Sequence, residues 1–449
     1  MLNLLLAALL VPQTPNFIPL QGYRAAAPNG VAAQSLTNIT GGWGDNVKFC
    51  DIEFGWEWGH EDIAGLVVAS MLNPPIYATT SLNHGTACVG IVCAAPNSIG
   101  VVGLSPDATI HTATSYTSTG TVDVATAIYA AMSAMGTGDV ILLEAQAVGP
   151  GGSTPSGVPT EWNSADYNAI VSATSSGFIV IEPAGNGGAD LDSSAFGSVF
   201  NLAVQDSGAI VVGSSVNSTL ARSSASCYGS RVDCNGWGDS IATTAYGDLQ
   251  HITGTNTRDY TALFGGTSGA SAIVAGVVCG IRGAAQAQLS ATDAAALTPS
   301  AIRTLLRTYG TSMNSGQSIG KRPDLAQILV AAGIQRELRL TGDGYAGNVM
   351  TWTLTPSWSA GSGDLWALES SATAINQSWA PPGITGSRLL IDLTTAIVLA
   401  GGTFASSPAT YTFTVPAGYG GTRLYQQAFF LRANGNVQTS NSTMLYAWP

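Results

Sequence analysis

Four stretches of this chain, VKFCDI (47–52), VILLEA (140–145), FIVIE (178–182) and AIVVG (209–213), are apolar almost without interruption. A strand with one wet face alternates apolar and polar residues. Uninterrupted runs of this length therefore point to strands covered on both faces, as in a parallel sheet between layers of helices. The intervening sequence supplies the helices. NSADYNAIVSATSS follows Pro159 with Ala and Ile at helical spacing, while SGASAIVAGVVCGIRGAAQA is long, rich in small residues and apolar around most of its circumference. A helix of the second kind belongs inside a core. From about residue 46 to 285 the alternation predicts an α/β unit whose parallel strands are joined by crossover helices.

The character changes after about residue 336. RLTGDGYAGNVMTWTLTPSWSAGSGDLWAL and the residues after it carry Trp, Tyr, Thr and Gly with turn dipeptides and no helical period, which reads as an all-β sandwich of about 110 residues. Trp352, Trp358 and Trp366 are expected in its core, the alternative being an exposed face that binds carbohydrate or another surface. The expected organisation is 1–20 as a signal peptide or prodomain remnant, 21–335 as the main domain and 336–449 as the β domain. The opening MLNLLLAALLVPQTP has an apolar run of about ten residues, the length of a signal-peptide core and too short for a bilayer, without a basic flank. A signal peptide, the tail of a prodomain and the truncated start of a longer product all remain open there. No later stretch approaches 18 uninterrupted apolar residues, so no membrane span is expected.

Charge narrows the function. With 15 Lys and Arg against 27 Asp and Glu, the net charge is −12, and a nucleic-acid partner, which needs a basic face, is not expected. The six cysteines are too few for a disulfide framework. Cys227 and Cys234 bracket a short Gly-containing loop that would suit a bridge, and buried free thiols are the other reading. Cys88 and Cys93, five apart on an expected helix, do not share a face.

Asp51 ends an apolar run, His84 opens the helical HGTACVGIVCAA, and Ser268 opens the buried helix within FGGTSGASAIVAG. Each placement suits a nucleophilic mechanism. A strand-end carboxylate is rigid and can fix one imidazole tautomer. A serine at a helix start stands beside unpaired N–H groups and the positive end of the helix dipole, where a developing oxyanion is favoured. Asn186, in IEPAGNGG, would add a side-chain N–H to that oxyanion, while Gly265, Gly266 and Gly269 let a substrate backbone approach. Singly, each residue has a structural explanation: a cap for Ser268, a turn for Asn186, an ion pair for Asp51, a core histidine for His84. Together their types, order and positions are accounted for by catalysis.

Through HGTACVGIVCAAPNSIGVVGLSP, PAGNGG and GGTSGASAIVAG the sequence resembles the subtilisin-like serine peptidases over about residues 45 to 290. The resemblance implies a parallel sheet of about seven strands between helices, hydrolysis of protein or peptide substrates through an acyl-enzyme, secretion and a monomer. Asp51-Ile52-Glu53 stands where the family shows Asp-(Ser/Thr)-Gly, Ala87 replaces a second His, and Ala272 replaces a Pro. The resemblance also implies a structural Ca²⁺ held by Ala95, Asn97, Ile99 and Val101, with Asp62 as the carboxylate. It places Glu144 and Glu182 on opposite walls of the primary specificity cleft, with Gly185 and Gly266 also at the substrate. Two acids there would favour Arg or Lys in the substrate or, sharing a proton, make the cleft pH-sensitive. A secreted binding or adhesion protein with an inactive peptidase fold is the competing reading.

Overall fold

The computed structural model describes residues 13–63, 68–72, 82–116, 121–150, 157–217, 219–314, 316–356, 364–379, 387–391, 393–404, 408–433 and 437–448. Trp358 and residues 1–12 lie outside them. Seven strands form the central sheet: β1 (Lys48–Glu53), β2 (Val68–Leu72), β3 (Thr109–Thr114), β4 (Val140–Leu143), β5 (Ile179–Pro183), β6 (Ile210–Ser215) and β7 (Cys234–Trp237). Their order across the sheet is 2-3-1-4-5-6-7, and every neighbouring pair is parallel. The sheet is covered on both sides. On one face lie α1 (Leu82–Cys93) and α4 (Gly266–Gln288), and on the other α2 (Val124–Ala134) and α3 (Ser164–Ser175).

Alternate residues of a single strand feed the two cores. Phe49, Val140 and Leu142 join the α1/α4 side, while Cys50, Ile52, Ile141 and Leu143 join the α2/α3 side. Both faces being dry is why the strand sequences do not alternate in polarity. Among the described residues α4 is the one helix long and apolar enough to cross a membrane, and it is instead enclosed by the sheet and α1. Two shorter helices follow it, α5 (Ala291–Ala296) and α6 (Pro299–Thr308).

Beyond residue 336 the chain is antiparallel β. A three-stranded sheet (Leu338–Thr341, Val349–Leu354, Ala409–Thr414) faces a four-stranded one (Ile397–Thr403, Leu365–Ser371, Arg423–Leu431, Val437–Tyr446). Met350 and Trp352 from the first and Leu368 and Phe430 from the second share a core. Trp352 is fully buried and Trp366 packs partly against the same core, so neither forms an exposed binding face.

This β region is joined to the main body through buried polar contacts. Asn38 donates to Leu340 O, and Gln288 donates to Ser442 O and accepts from its N–H. Trp43 meets Tyr446 edge-on and Trp448 at a tilt, beneath the guanidinium of Arg423, which pairs with Asp107. Residues 13–20 are also part of the folded body: Phe17 packs on Tyr260, and the buried Thr14 meets Glu61 and Arg258. All six cysteines are buried free thiols, and Cys227 donates to Gly157 O instead of bridging to Cys234.

Candidate active site

The side chain that meets His84 is Glu53. Its carboxylate pairs with His84 Nδ1, and its second oxygen accepts from the Phe54 N–H at 2.7 Å. This corrects the expectation placed on Asp51, which turns to the Trp56 indole N–H at 2.8 Å and does not reach the imidazole. The reason is the pleat. Residues 51 and 53 lie on the same face of β1, but Glu53 ends the strand, nearer the start of α1. Gly85 makes the approach possible, since a Cβ there would lie 2.8 Å from Glu53 Cγ and 2.5 Å from Gly55 O. The signal was present in the sequence, because the family's acid-x-Gly spacing falls on Glu53-Phe54-Gly55.

Asp51 is wholly buried with one oxygen unpartnered. Burial, and then the neighbouring Glu53, push its carboxyl far above the usual range, so Asp51 keeps its proton. His84 moves the other way from an ordinary buried histidine. Burial opposes its charge, but the Glu53 carboxylate, through its charge and its hydrogen bond, outweighs that and raises it to about 9. Cys88 Sγ lies 4.0 Å from His84 Nδ1, and burial pushes its thiol well above the usual range.

Ser268 stands in the first turn of α4, whose cap position is Gly265 and carries no side-chain cap. A capping role for Ser268 is thereby excluded. Asn186 supplies the cap from outside the helix: its Oδ1 accepts the Thr267 N–H at 3.0 Å and the Thr267 hydroxyl at 3.1 Å. With the oxygen so anchored, the Asn186 amide N–H₂ is the group left for a ligand. Gly266 has φ +74°, and a Cβ there would crowd Asn186 Oδ1 at 3.2 Å.

His84, Asn186, Ser268 and Gly265 line one open cleft of about 530 Å³, walled by Phe264 and Tyr246. Phe264 meets the His84 ring edge-on at 5.4 Å and Tyr246 leans on Phe264. Tyr246 belongs to no motif, and Phe264 opens FGGTSG without its spacing assigning it a role, so neither wall was legible from the sequence. Gly185, at φ +89°, serves the Gly157 strand: a Cβ there would lie 2.3 Å from Gly157 O.

Glu144 and Glu182 do not share a pocket, which corrects their assignment to opposite walls of the cleft. Glu144 is buried and accepts from Ser271 Oγ at 2.8 Å. Glu182 is buried within the Arg231 cluster, accepting from the Glu161 N–H at 3.4 Å. Burial raises both carboxyls well above the usual range. Glu144→Gln and Glu182→Gln are accordingly expected to leave the ratio of cleavage after Arg and after Leu unchanged at pH 5 and pH 8. A ratio that falls tenfold in either variant would return that acid to the substrate pocket.

The residues expected to hold calcium do come together. Asp62 Oδ1 accepts from Asn97 Nδ2 at 2.9 Å, Asp62 Oδ2 from the Val101 N–H at 2.8 Å, and Asn97 Oδ1 from the Ile99 N–H at 3.0 Å. The Ala95 N–H donates to Asp62 O, and the Ala95 carbonyl accepts from the Asn97 N–H. The set does not fit an ion in this arrangement, because its one carboxylate and its one amide oxygen are already spent on hydrogen bonds. Burial, only partly offset by these bonds, raises Asp62 to about 7. Excess EDTA is therefore expected to leave the thermal midpoint where it is in calcium. A reversible fall of several degrees would show that the loop reorganises around an ion.

Comparison with known proteins agrees with this geometry. Residues 46–322 match the model of the subtilase family. The chain is 31% identical over 231 residues to subtilisin amylosacchariticus of Bacillus subtilis subsp. amylosacchariticus and to subtilisin J of Geobacillus stearothermophilus. That match covers 50% of this chain and 56% of each relative, so the chain spans about half the length of these curated relatives. The fold resembles, at TM-score 0.51 and 15% identity, a chain in the crystal structure of the Aeromonas sobria serine protease with its chaperone ORF2, covering 97% of this chain and 94% of that one. With the family model matching well over half of its length, the chain belongs to the subtilase family.

Proposed function

We propose that the chain is a secreted serine endopeptidase in which Ser268 is the nucleophile, His84 the general base, Glu53 the acid that orients it and Asn186 an oxyanion donor. The observation that carries this reading is the convergence of His84, Ser268 and Asn186 on one cleft with Glu53 buried behind the imidazole. Glu53 holds the proton on His84 Nδ1, which leaves Nε2 to take the hydroxyl proton of Ser268. Among the described residues no hydrogen bond reaches Ser268 Oγ at rest. In apo sites such bonds tighten only when substrate arrives.

Attack of Oγ on the scissile carbonyl places negative charge beside Asn186 Nδ2 and the Ser268 backbone N–H, at the positive start of α4. Collapse expels the amine, which takes its proton from His84, and water reverses the sequence to free the enzyme.

Asn186→Ala is expected to lower kcat by about 10² to 10³ with KM nearly unchanged, since its amide meets the charge that develops in the transition state. A loss confined to KM would move Asn186 to ground-state binding. Covalent labelling by a fluorophosphonate tests the whole reading, because an activated serine reacts and an ordinary one does not. An unlabelled, folded protein would favour an inactive binding protein.

A further inference from the structure

Arg282 sits on the core helix α4 with only 6% of its surface exposed. Buried guanidinium groups are paired or fully hydrogen-bonded in folded proteins. The other buried arginines have such partners. Arg231 pairs with Glu161 and Asp233, and Arg303 with Asp206 and Asp233. Arg303 Nη2 and Arg322 Nε are unpartnered too, but Arg303 has its two acids, and the two terminal nitrogens of Arg322 are met by Pro28 O, Asn29 O, Ser215 Oγ and Val216 O.

Arg282 differs. Its Nη1 donates to Ala294 O at 2.9 Å and Leu297 O at 3.0 Å, whereas Nε is buried without a partner and Nη2 makes no hydrogen bond. These two nitrogens form one edge of the guanidinium, the edge whose parallel N–H groups match two oxygens of a carboxylate or phosphate. Among the described residues no acid pairs with it. Asp139, the acid whose field reaches it, is engaged by the Lys48 and Gly136 N–H groups.

Arg282 borders a cavity of about 480 Å³ at the base of the sheet, next to the β region. Gln286, one turn further along α4, lines the same cavity, as does Asn376 from the β region. Gly138 forms part of the floor at φ +88°, and a Cβ there would stand 2.3 Å from Nη2, so glycine keeps this edge clear. The cavity also reaches Thr298 and Pro299 at the start of the ten-residue helix α6; Pro299 has no N–H and Thr298 Oγ1 takes that of Ala301, so the helix adds only the field of its positive end. In a chain of net charge −12, an unpaired buried cation is conspicuous.

We propose that Arg282, Gln286 and the start of α6 form a binding site for a small oxyanion, of the sulfate, phosphate or carboxylate kind. Two oxygens meet the Nε–Nη2 edge, and the amide of Gln286 contacts a third atom or the rim.

The test is equilibrium dialysis of the full chain with radiolabelled sulfate in dilute chloride buffer at pH 7, with phosphate and acetate as competitors. The expected result is saturable binding of about one ion per chain, abolished in Arg282→Leu and weakened about tenfold in Gln286→Leu, the loss of one hydrogen bond to a charged ligand. Displacement by phosphate alone identifies a tetrahedral ligand, and equal displacement by acetate identifies the carboxylate edge; either supports the site. Saturating sulfate should also raise the thermal midpoint of the intact protein by a few degrees, and less in Gln286→Leu, which remains informative should Arg282→Leu not fold. Absence of saturable binding to the intact protein, or binding equally tight in Gln286→Leu and any folded Arg282 variant, overturns the proposal.

Discussion

Glu53→Gln is expected to cut kcat by about 10⁴, while Asp51→Asn costs less than about tenfold. The size of the first effect comes from the task of a triad acid: an amide can present its N–H₂ to His84 Nδ1, stabilising the wrong tautomer and leaving no base toward the serine. Asp51 is already neutral and bonded to Trp56, so its amide analogue changes little at the imidazole. The pair of variants also separates in pH. His84 acts as a base only when neutral, and its raised value of about 9 places the rising limb of kcat/KM on the alkaline side of neutrality. Removing the Glu53 charge should draw residual activity's limb toward lower pH. The same group contributes stability that is fully present below its unfolded value and lost as pH rises through about 9, so the alkaline gain in rate is accompanied by a loss of stability. Loss of activity in Asp51→Asn, with Glu53→Gln near the parent, would reverse the assignment.

Ser268→Ala should lower turnover by about 10⁶, the scale seen when the nucleophile of a subtilisin is removed, and should abolish fluorophosphonate labelling. The fold should survive. Ser268 is half-buried in the first turn of α4, and the cap there is furnished by Asn186 through Thr267. Alanine is a good helix former, so the melting midpoint is expected to stay within a few degrees of the parent. Residual hydrolysis above a few per cent in a preparation free of contaminating peptidase would remove Ser268 from the mechanism.

The parallel sheet, the buried helix and the β region were legible because each imposes a pattern along the chain: unbroken apolar runs, an all-round apolar helix, a loss of helical period. His84, Ser268 and Asn186 were legible because each opens or precedes an element within a stretch of fixed spacing. The choice between Asp51 and Glu53 went to the wrong carboxyl because a period of two puts both on one face; the acid-x-Gly spacing of Glu53-Phe54-Gly55 was the signal that separates them. Glu144 and Glu182 were misplaced for a related reason. Each lies at or near a strand's end, but its direction is set by distant groups, Ser271 for one and Arg231 with Glu161 for the other. The residues of the calcium set do cluster, yet spacing cannot tell whether their oxygens face an ion or neighbouring N–H groups.

The seam between Thr40 and Ser442 joins residues 402 positions apart, and Asn38, through its carbonyl to the Met444 N–H, Trp43 and Gln288 meet the last strand in the same way. Closing so long a loop costs entropy before any contact returns it, which raises contact order and slows folding. On the ribosome the consequence is one of timing. The segment that holds Asn38 and Trp43 cannot satisfy the one or bury the other until residues 340–448 have emerged, so the body around the parallel sheet reaches its finished surface only after the β region has been made.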